Sequence, residues 1–211
     1  MKKLLMTIAI GTLLTSCGSD AVKTTDVPTQ DSTAVAVAPV VEVTNFSVNT
    51  AESVLNWKGS AVGKSHNGTV AVQGGSIEVS EGTLNGGELT FNMTTITCLD
   101  LDESTGKGKL EGHLKMPAFF NVDTFTTSKI VIKSVSENNI TAELTIKEIT
   151  KSITFPATVE VTDTSVNVNA KVIVNRTDFG IVYASGNFFE LAKDKVISDD
   201  VEFEVVVNAT K

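Results

Sequence analysis

Ile140-Thr141-Ala142-Glu143-Leu144-Thr145-Ile146-Lys147 alternates without a break. Ile140, Ala142, Leu144 and Ile146 fall on one side of an extended chain, and Thr141, Glu143, Thr145 and Lys147 on the other. Side chains on a strand point to opposite faces in turn, so this is a strand with one apolar and one hydrated face. The same period of two recurs on both sides. Upstream it runs through Leu55, Trp57 and Ala61; Val70 and Val72; Ile77 and Val79 after Gly74-Gly75; Leu89, Phe91 and Met93; and Ile130 and Ile132. Downstream it runs through Ile153, Phe155, Ala157, Val159 and Val161, then Val166 to Val174, then Val201, Phe203, Val205 and Val207. Roughly eight such strands joined by short Gly, Asn and Ser turns make an antiparallel all-β domain.

Asn85-Gly86-Gly87 reads as a turn between two of these strands, and Lys64-Ser65-His66-Asn67-Gly68 as another, with His66 exposed. Pro156 removes a ladder donor from a strand, which predicts a bulge or a strand start there. A sheet of this size must close or fold into two layers. A closed barrel satisfies every edge and turns the apolar faces inward; a β-sandwich is the competing architecture.

Two stretches depart from the period. His113-Leu114-Lys115-Met116-Pro117-Ala118-Phe119-Phe120-Asn121-Val122-Asp123-Thr124-Phe125 concentrates apolar bulk at spacings that fit neither a strand nor a long helix. It reads as a short helical wedge, near 113–125, that plugs an apolar space. Before it, Asp100, Asp102, Glu103 and Ser104 would cap a short helix, with Lys107 and Lys109 towards its far end.

The N-terminus is different again. Lys2 and Lys3 precede an apolar run, Leu4 to Leu14. At roughly eleven residues the run is too short to span a bilayer, which takes ~20 in a helix, and it reads as a secretion signal. It ends in Leu14-Thr15-Ser16-Cys17, which resembles a bacterial lipobox. Residues 1–16 are thus a lipoprotein signal peptide, and Cys17 is the acylated first residue of the mature chain. Residues 17–43, rich in Thr, Ser, Ala and Val and without an aromatic, form a tether, and 44–211 form the barrel domain. The expected location is a bacterial cell envelope, membrane-anchored through Cys17, on the periplasmic or outer side.

Charge and residue types narrow the function. Removing a leader that carries Lys2 and Lys3 takes the formal charge from −8 to about −10. Such a chain repels phosphate backbones, so nucleic acid is not an expected partner. With Cys17 acylated, Cys98 has no intramolecular partner and reads as a half-buried structural cysteine. His66 and His113 are the only histidines, and no ligand spacing points to a metal. No nucleophile elbow or phosphate-binding loop is present, so an enzyme is not expected.

Four motifs in order resemble the YceI-like family. They are Gly112-His113-Leu114-Lys115 with Phe119-Phe120-Asn121-Val122; Leu144-Thr145-Ile146-Lys147 with Thr150-Lys151; Asn175-Arg176-Thr177-Asp178-Phe179-Gly180-Ile181; and Ser198-Asp199-Asp200-Val201. The resemblance covers Phe46 to Ala209. It implies a lipocalin-like barrel that carries a polyisoprenoid or other long-chain lipid, with no cofactor beyond that chain. An apolar tube can hold an alkyl chain without specific polar contacts. The wall is then expected from Leu55, Trp57, Val72, Leu89, Phe91 and Met93 on the early strands. Ile132, Leu144, Ile146, Phe155, Val168 and Phe203 supply it on the later ones. Leu114, Phe119 and Phe120 come from the wedge, and Phe179 from the third motif. His113 and Arg176 are candidates for a headgroup contact. The competing role for Arg176, the only arginine, is to pair with Asp178 or another carboxylate and lock the barrel end. A ligand-free β-domain acting as an envelope interaction module is the second functional reading.

Overall fold

The computed structural model describes residues 42–211. The signal peptide, Cys17 and nearly all of the tether lie outside the described residues.

Nine strands form one antiparallel sheet that closes on itself: β1 (Val43–Val48), β2 (Val54–Ala61), β3 (Lys64–Ser80), β4 (Thr83–Cys98), β5 (Thr127–Ser136), β6 (Asn139–Ile146), β7 (Ile149–Val161), β8 (Ser165–Asn175) and β9 (Asp200–Thr210). From β2 to β9 each strand pairs with the next, and β9 returns to β2, so eight strands close a meander barrel. The extra strand, β1, pairs with the second half of β3 and the tip of β9, while β2 pairs with the first half of β3 and the middle of β9. β1 and β2 therefore occupy one position in the wall, interrupted by the loop 49–53. The core is the barrel interior, from Phe46, Val70 and Ile77 round to Val166, Val207 and Ala209, all buried. The outer face carries cross-strand pairs such as Lys129–Glu88 at 2.6 Å, Lys133–Glu143 at 3.0 Å and Thr141–Thr154 at 3.0 Å. That is a hydrated surface, not the apolar band of a lipid-spanning barrel.

The two ends differ. One carries the tight connections 81–82, 137–138 and 162–164. The other carries the short 62–63 and 147–148 loops and two long connections, 99–126 and 176–199. The latter pair is the wedge end.

Several turn assignments shift. Asn85-Gly86-Gly87 lies inside β4, paired with β3. The turn is Glu81-Gly82, where φ values of 52° and 73° give the two-residue loop whose twist matches a hairpin. Gly87, at φ 142°, is where the two strands cross closely: a Cβ there would meet the Ser76 carbonyl oxygen at 2.5 Å. Lys64 to Gly68 is likewise strand, paired with β2, and the loop beside it is only Val62-Gly63. Pro156 is neither a bulge nor a strand start, but sits mid-β7 where the strand changes partners. Ala157 N–H donates to Asn138 O towards β6 at 2.8 Å, so the missing proline N–H faces β8, and the β8 ladder begins only at Ala157. The proline removes a donor from a place with no acceptor to meet it.

The single α-helix among the described residues, α1, spans Lys107–Lys115, earlier than the wedge itself. Lys107 and Lys109 are in its first turn, not its last. Asp102 caps the turn just before it, accepting Thr105 N at 2.8 Å and Ser104 Oγ at 2.7 Å, while the N-cap is Gly106. The helix stops where Met116 becomes extended ahead of Pro117, as sterics require. The wedge that follows is a run of turns. Phe120 N donates to Leu114 O, Val122 N to Lys115 O and Phe125 N to Asn121 O, with Asn121 at φ 49°.

Candidate functional site

Alternation places one side chain in two inside the barrel, and these do not fill it. A narrow tunnel of about 140 Å³ remains along the interior. Leu55, Trp57, Leu89, Phe91 and Met93 border it, as do Ile132, Leu144, Ile146, Phe155, Val168 and Phe203. Leu114, Phe119 and Phe120 of α1 and the wedge cap it at one end. Two expected wall residues are placed elsewhere. Val72 is buried in the stretch where β3 leaves β2 for β1; the bulge between Val72 and Gly74 then shifts the inward parity to Ile77 and Val79. Phe179 is buried in the 3-10 turn Arg176–Phe179 and does not border the tunnel. Val70, Ile77, Ile96, Ile130, Ile140, Val172 and Val174 also border it. They share the alternation that selected the others.

Among the described residues, no His, Cys, Asp, Glu or Lys borders the tunnel. Of the residues along it, Ser128, Arg176 and Trp57 carry polar side-chain atoms, and none of those atoms opens onto the space. Arg176 is buried, and protein acceptors occupy four of its N–H bonds. Nε donates to Ser198 O at 2.9 Å, Nη1 to Ile181 O at 2.6 Å, and Nη2 to Ile197 O at 3.1 Å and to Asp199 Oδ1 at 3.0 Å. Its carboxylate partner is thus Asp199, not Asp178. Burial lowers the guanidinium pKa and Asp199 opposes that. Arg176 ties β8 to the start of β9 and folds the 176–199 connection back on the barrel. Ser185 Oγ and Asn187 Nδ2 both donate to the other oxygen of Asp199, each at 2.8 Å.

His113 stands outside the tunnel. Its ring meets Phe119 edge-on at 5.5 Å and Tyr183 at 5.0 Å, and Phe119 and Tyr183 lie 5.3 Å apart. This cluster joins α1, the wedge and the 176–199 connection over the barrel end. Tyr183 carried no periodic signal in the sequence. Glu111 was also missed: it accepts Thr97 Oγ1 at 2.6 Å and Cys98 N at 2.9 Å, pinning α1 to β4. Those two donors hold its carboxyl below its ordinary pKa.

At the same end, β3 and β4 are joined by Asp100. Its Oδ1 accepts Asn67 N at 2.8 Å and Cys98 Sγ at 3.2 Å, and its Oδ2 lies 2.8 Å from His66 Nδ1. The Asn67 N–H leads in lowering the Asp100 pKa to about 2. Cys98 is fully buried, and desolvation raises its thiol pKa. The donor atoms of His66, Cys98 and Asp100 lie within 4.8 Å of one another, a grouping of metal-ligand types that no sequence spacing announced. As it stands it is a closed hydrogen-bond network.

Trp57 has no such closure. It is 7% exposed, and its Nε1 is the only fully buried side-chain N or O among the described residues with no hydrogen-bond partner. A buried donor left unpaired costs ~1–3 kcal/mol.

The YceI-like domain family matches residues 46–209. A UPF0312 protein of Staphylococcus aureus strain MSSA476 is 31% identical over 135 residues, covering 59% of this chain and 74% of the relative. A polyisoprenoid binding domain from Saccharophagus degradans, implicated in plant cell wall breakdown, superposes with a TM-score of 0.58 at 15% identity over 78% of this chain and 97% of that one. BcnA of Burkholderia cenocepacia gives 0.55 at 18% identity over 77% and 99%. These two likenesses show a shared fold.

Proposed function

This chain belongs to the YceI-like family, and from that premise we propose that it is a carrier of a long-chain lipid, isoprenoid or acyl, held along the barrel interior. The observation that carries the reading is the tunnel itself, apolar almost throughout and continuous with the wedge. A water-sized sphere needs ~10–15 Å³ of such space, so about 140 Å³ takes on the order of ten methylene-sized groups. At ~0.8 kcal/mol each, burying them contributes at most ~8 kcal/mol, a micromolar affinity before association costs. A longer chain then extends into the mouth or moves wall side chains aside. The binding domain described for Saccharophagus degradans supports the isoprenoid class. Acylation of Cys17 and the tether up to Val43 would hold the carrier at a bacterial envelope membrane, and the wedge end would be the doorway for the chain.

Native mass spectrometry of the purified protein, with organic extraction of what it retains, is the direct test. A retained prenyl or acyl chain supports the carrier. A protein that stays empty after incubation with polyprenols, quinones and fatty acids indicates the ligand-free envelope module instead. Leu144→Trp sharpens the test, because Leu144 borders the tunnel and an indole there fills it. Retention should fall by at least about tenfold while a cooperative melt survives, since overpacking costs ~1–3 kcal/mol. Unchanged retention in the folded variant would place the chain elsewhere.

A further inference from the structure

We propose that His66, Cys98 and Asp100 form a binding site for a zinc-class cation at the wedge end of the barrel, where β3 and β4 meet, with one coordination position left to solvent. The proposal stands apart from the lipid-carrier reading and does not depend on it.

Two neighbouring strands converge to make the site. His66 lies in β3, Cys98 ends β4, and Asp100 follows two residues later. Gly68 pairs with Cys98, and Leu99 N donates to Asn67 O at 2.9 Å, so the ladder itself sets the three side chains next to one another. One ligand atom from each lies within 4.8 Å of those of the other two. Cys98 Sγ is 3.2 Å from Asp100 Oδ1, and His66 Nδ1 is 2.8 Å from Oδ2. A tetrahedral zinc ion, with bonds of about 2.3 Å to sulfur and about 2.0 Å to nitrogen and oxygen, sets S and O about 3.5 Å apart and N and O about 3.3 Å apart. The pairs have to part by only roughly 0.3–0.5 Å to admit the ion.

The hydrogen bonds that now join the three groups are made by the protons an ion would replace. On binding, a sulfur–metal bond forms and the thiol proton leaves to solvent, while the imidazole carries its proton on Nε2 and ligates through Nδ1. Thiolate and carboxylate together balance two positive charges. Sulfur and imidazole nitrogen favour zinc-type ions over magnesium and calcium, which take oxygen. The outer layer of the site is already built. Asn67 N donates to Asp100 Oδ1 at 2.8 Å, and Cys98 N donates to Glu111 Oε1 at 2.9 Å, so the carboxylate and the cysteine backbone are oriented by the fold. The side chains of His66 and Asp100 are each 28% exposed, and Cys98 is buried beneath them. The ion enters between imidazole and carboxylate, the sulfur closes the site from below, and the fourth position faces water. Three protein ligands with one open place make a site for an exchangeable ion.

Zinc and cobalt(II) are the probes, added to the reduced, metal-free full chain near neutral pH. Zinc should bind one to one, and cobalt should give a thiolate charge-transfer band with the intense visible bands of tetrahedral coordination. Cys98→Ser should remove the charge-transfer band. His66→Ala, at a partly exposed side chain, should weaken zinc binding by at least about a hundredfold. Cys17→Ser should change neither readout, which separates the site from the chain's other thiol. Magnesium or calcium in about tenfold excess should not compete. No uptake of zinc at about millimolar concentration overturns the proposal. So does a cobalt complex with the weak spectrum of octahedral oxygen coordination, the sign of scattered surface carboxylates, or a zinc affinity that His66→Ala leaves unchanged. If Cys98→Ser does not fold, the cobalt spectrum of Cys17→Ser decides, since Cys98 is then the one thiol left. A charge-transfer band there supports the site, and its absence overturns it.

Discussion

Asp100 illustrates how much a single carboxylate can organise. It receives a backbone N–H from β3 and a thiol from β4, and lies against His66 Nδ1, joining two strands at the barrel end. Its pKa is lowered to about 2, led by the Asn67 N–H. An unfolded Asp titrates near ~3.9. A depressed folded value means that the stabilisation is complete above the unfolded pKa and is lost as pH falls through the folded one. The unaltered protein should therefore lose stability between about pH 4 and pH 2 through this group, and Asp100→Asn should remove that component. Melting temperatures of both proteins across the window provide the check, and parallel curves would show that the carboxylate is not linked to folding. At this scale the sequence was legible wherever alternation decides the answer. Leu89, Phe91 and Leu144 face the tunnel because their neighbours face water. Val72 shares the inward parity of Val70 and is buried, but it lies off the tunnel at the bulge that follows it, and Phe179 sits in a 3-10 turn, which has no two-residue period. The unpaired Trp57 nitrogen was invisible, since a missing partner is a fact about every other residue at once.

Between elements, β3 and β4 approach closely beside the indole. Gly68 pairs with Cys98, and a Cβ on it would run into the Thr97 carbonyl oxygen and the Trp57 ring together. Neither can give way, because Thr97 is ladder backbone and the ring is buried. Gly68→Ala should thus part the two strands at the wedge end and cost about 3 kcal/mol, the upper range for overpacking, as measured by chemical denaturation. A loss of under about half a kcal/mol, the usual effect of a neutral surface change, would mean that the strands are free to separate there. The same intimacy explains the misplaced turns. Asn85-Gly86-Gly87 has turn chemistry, but Gly87 serves a close crossing of strands and Glu81-Gly82 makes the hairpin. Local composition signals a backbone need without saying whether the need comes from a turn or from a neighbour. The helix was misplaced for a related reason: Asp102 caps a turn, and Glu111, which anchors the helix to Thr97 and Cys98, acts across space.

Taken whole, the barrel is lopsided in polarity. Among the described residues, the exposed large apolar side chains are Val62, Leu99, Met116, Ile149, Ile173, Tyr183, Phe188, Phe189 and Leu191 at or near the wedge end, and only Val43 at the other. The far end instead gathers Glu78, Glu81, Glu137, Glu160 and Asp163, with Lys211 beside them. Lysines 64, 107, 109, 115, 147, 151, 193 and 195 offset most of the acidic groups of the wedge end. Against an anionic bilayer the far end is repelled more strongly than the wedge end, so a carrier exchanging its chain with a membrane should approach wedge first. Phe188 and Phe189, 57% and 48% exposed, are the bulkiest groups on that rim and do not border the tunnel. Inserting each would contribute roughly 1–2 kcal/mol, less than full burial of a phenylalanine. Substituting both with serine should slow transfer of a fluorescent prenyl or acyl lipid to anionic vesicles by at least about tenfold. The equilibrium affinity for the lipid should stay the same, and Val43→Ser at the far end should leave the rate unchanged. A double variant that transfers at the unaltered rate would show that the chain leaves by another route. Equal slowing by Val43→Ser would show that the protein has no preferred end.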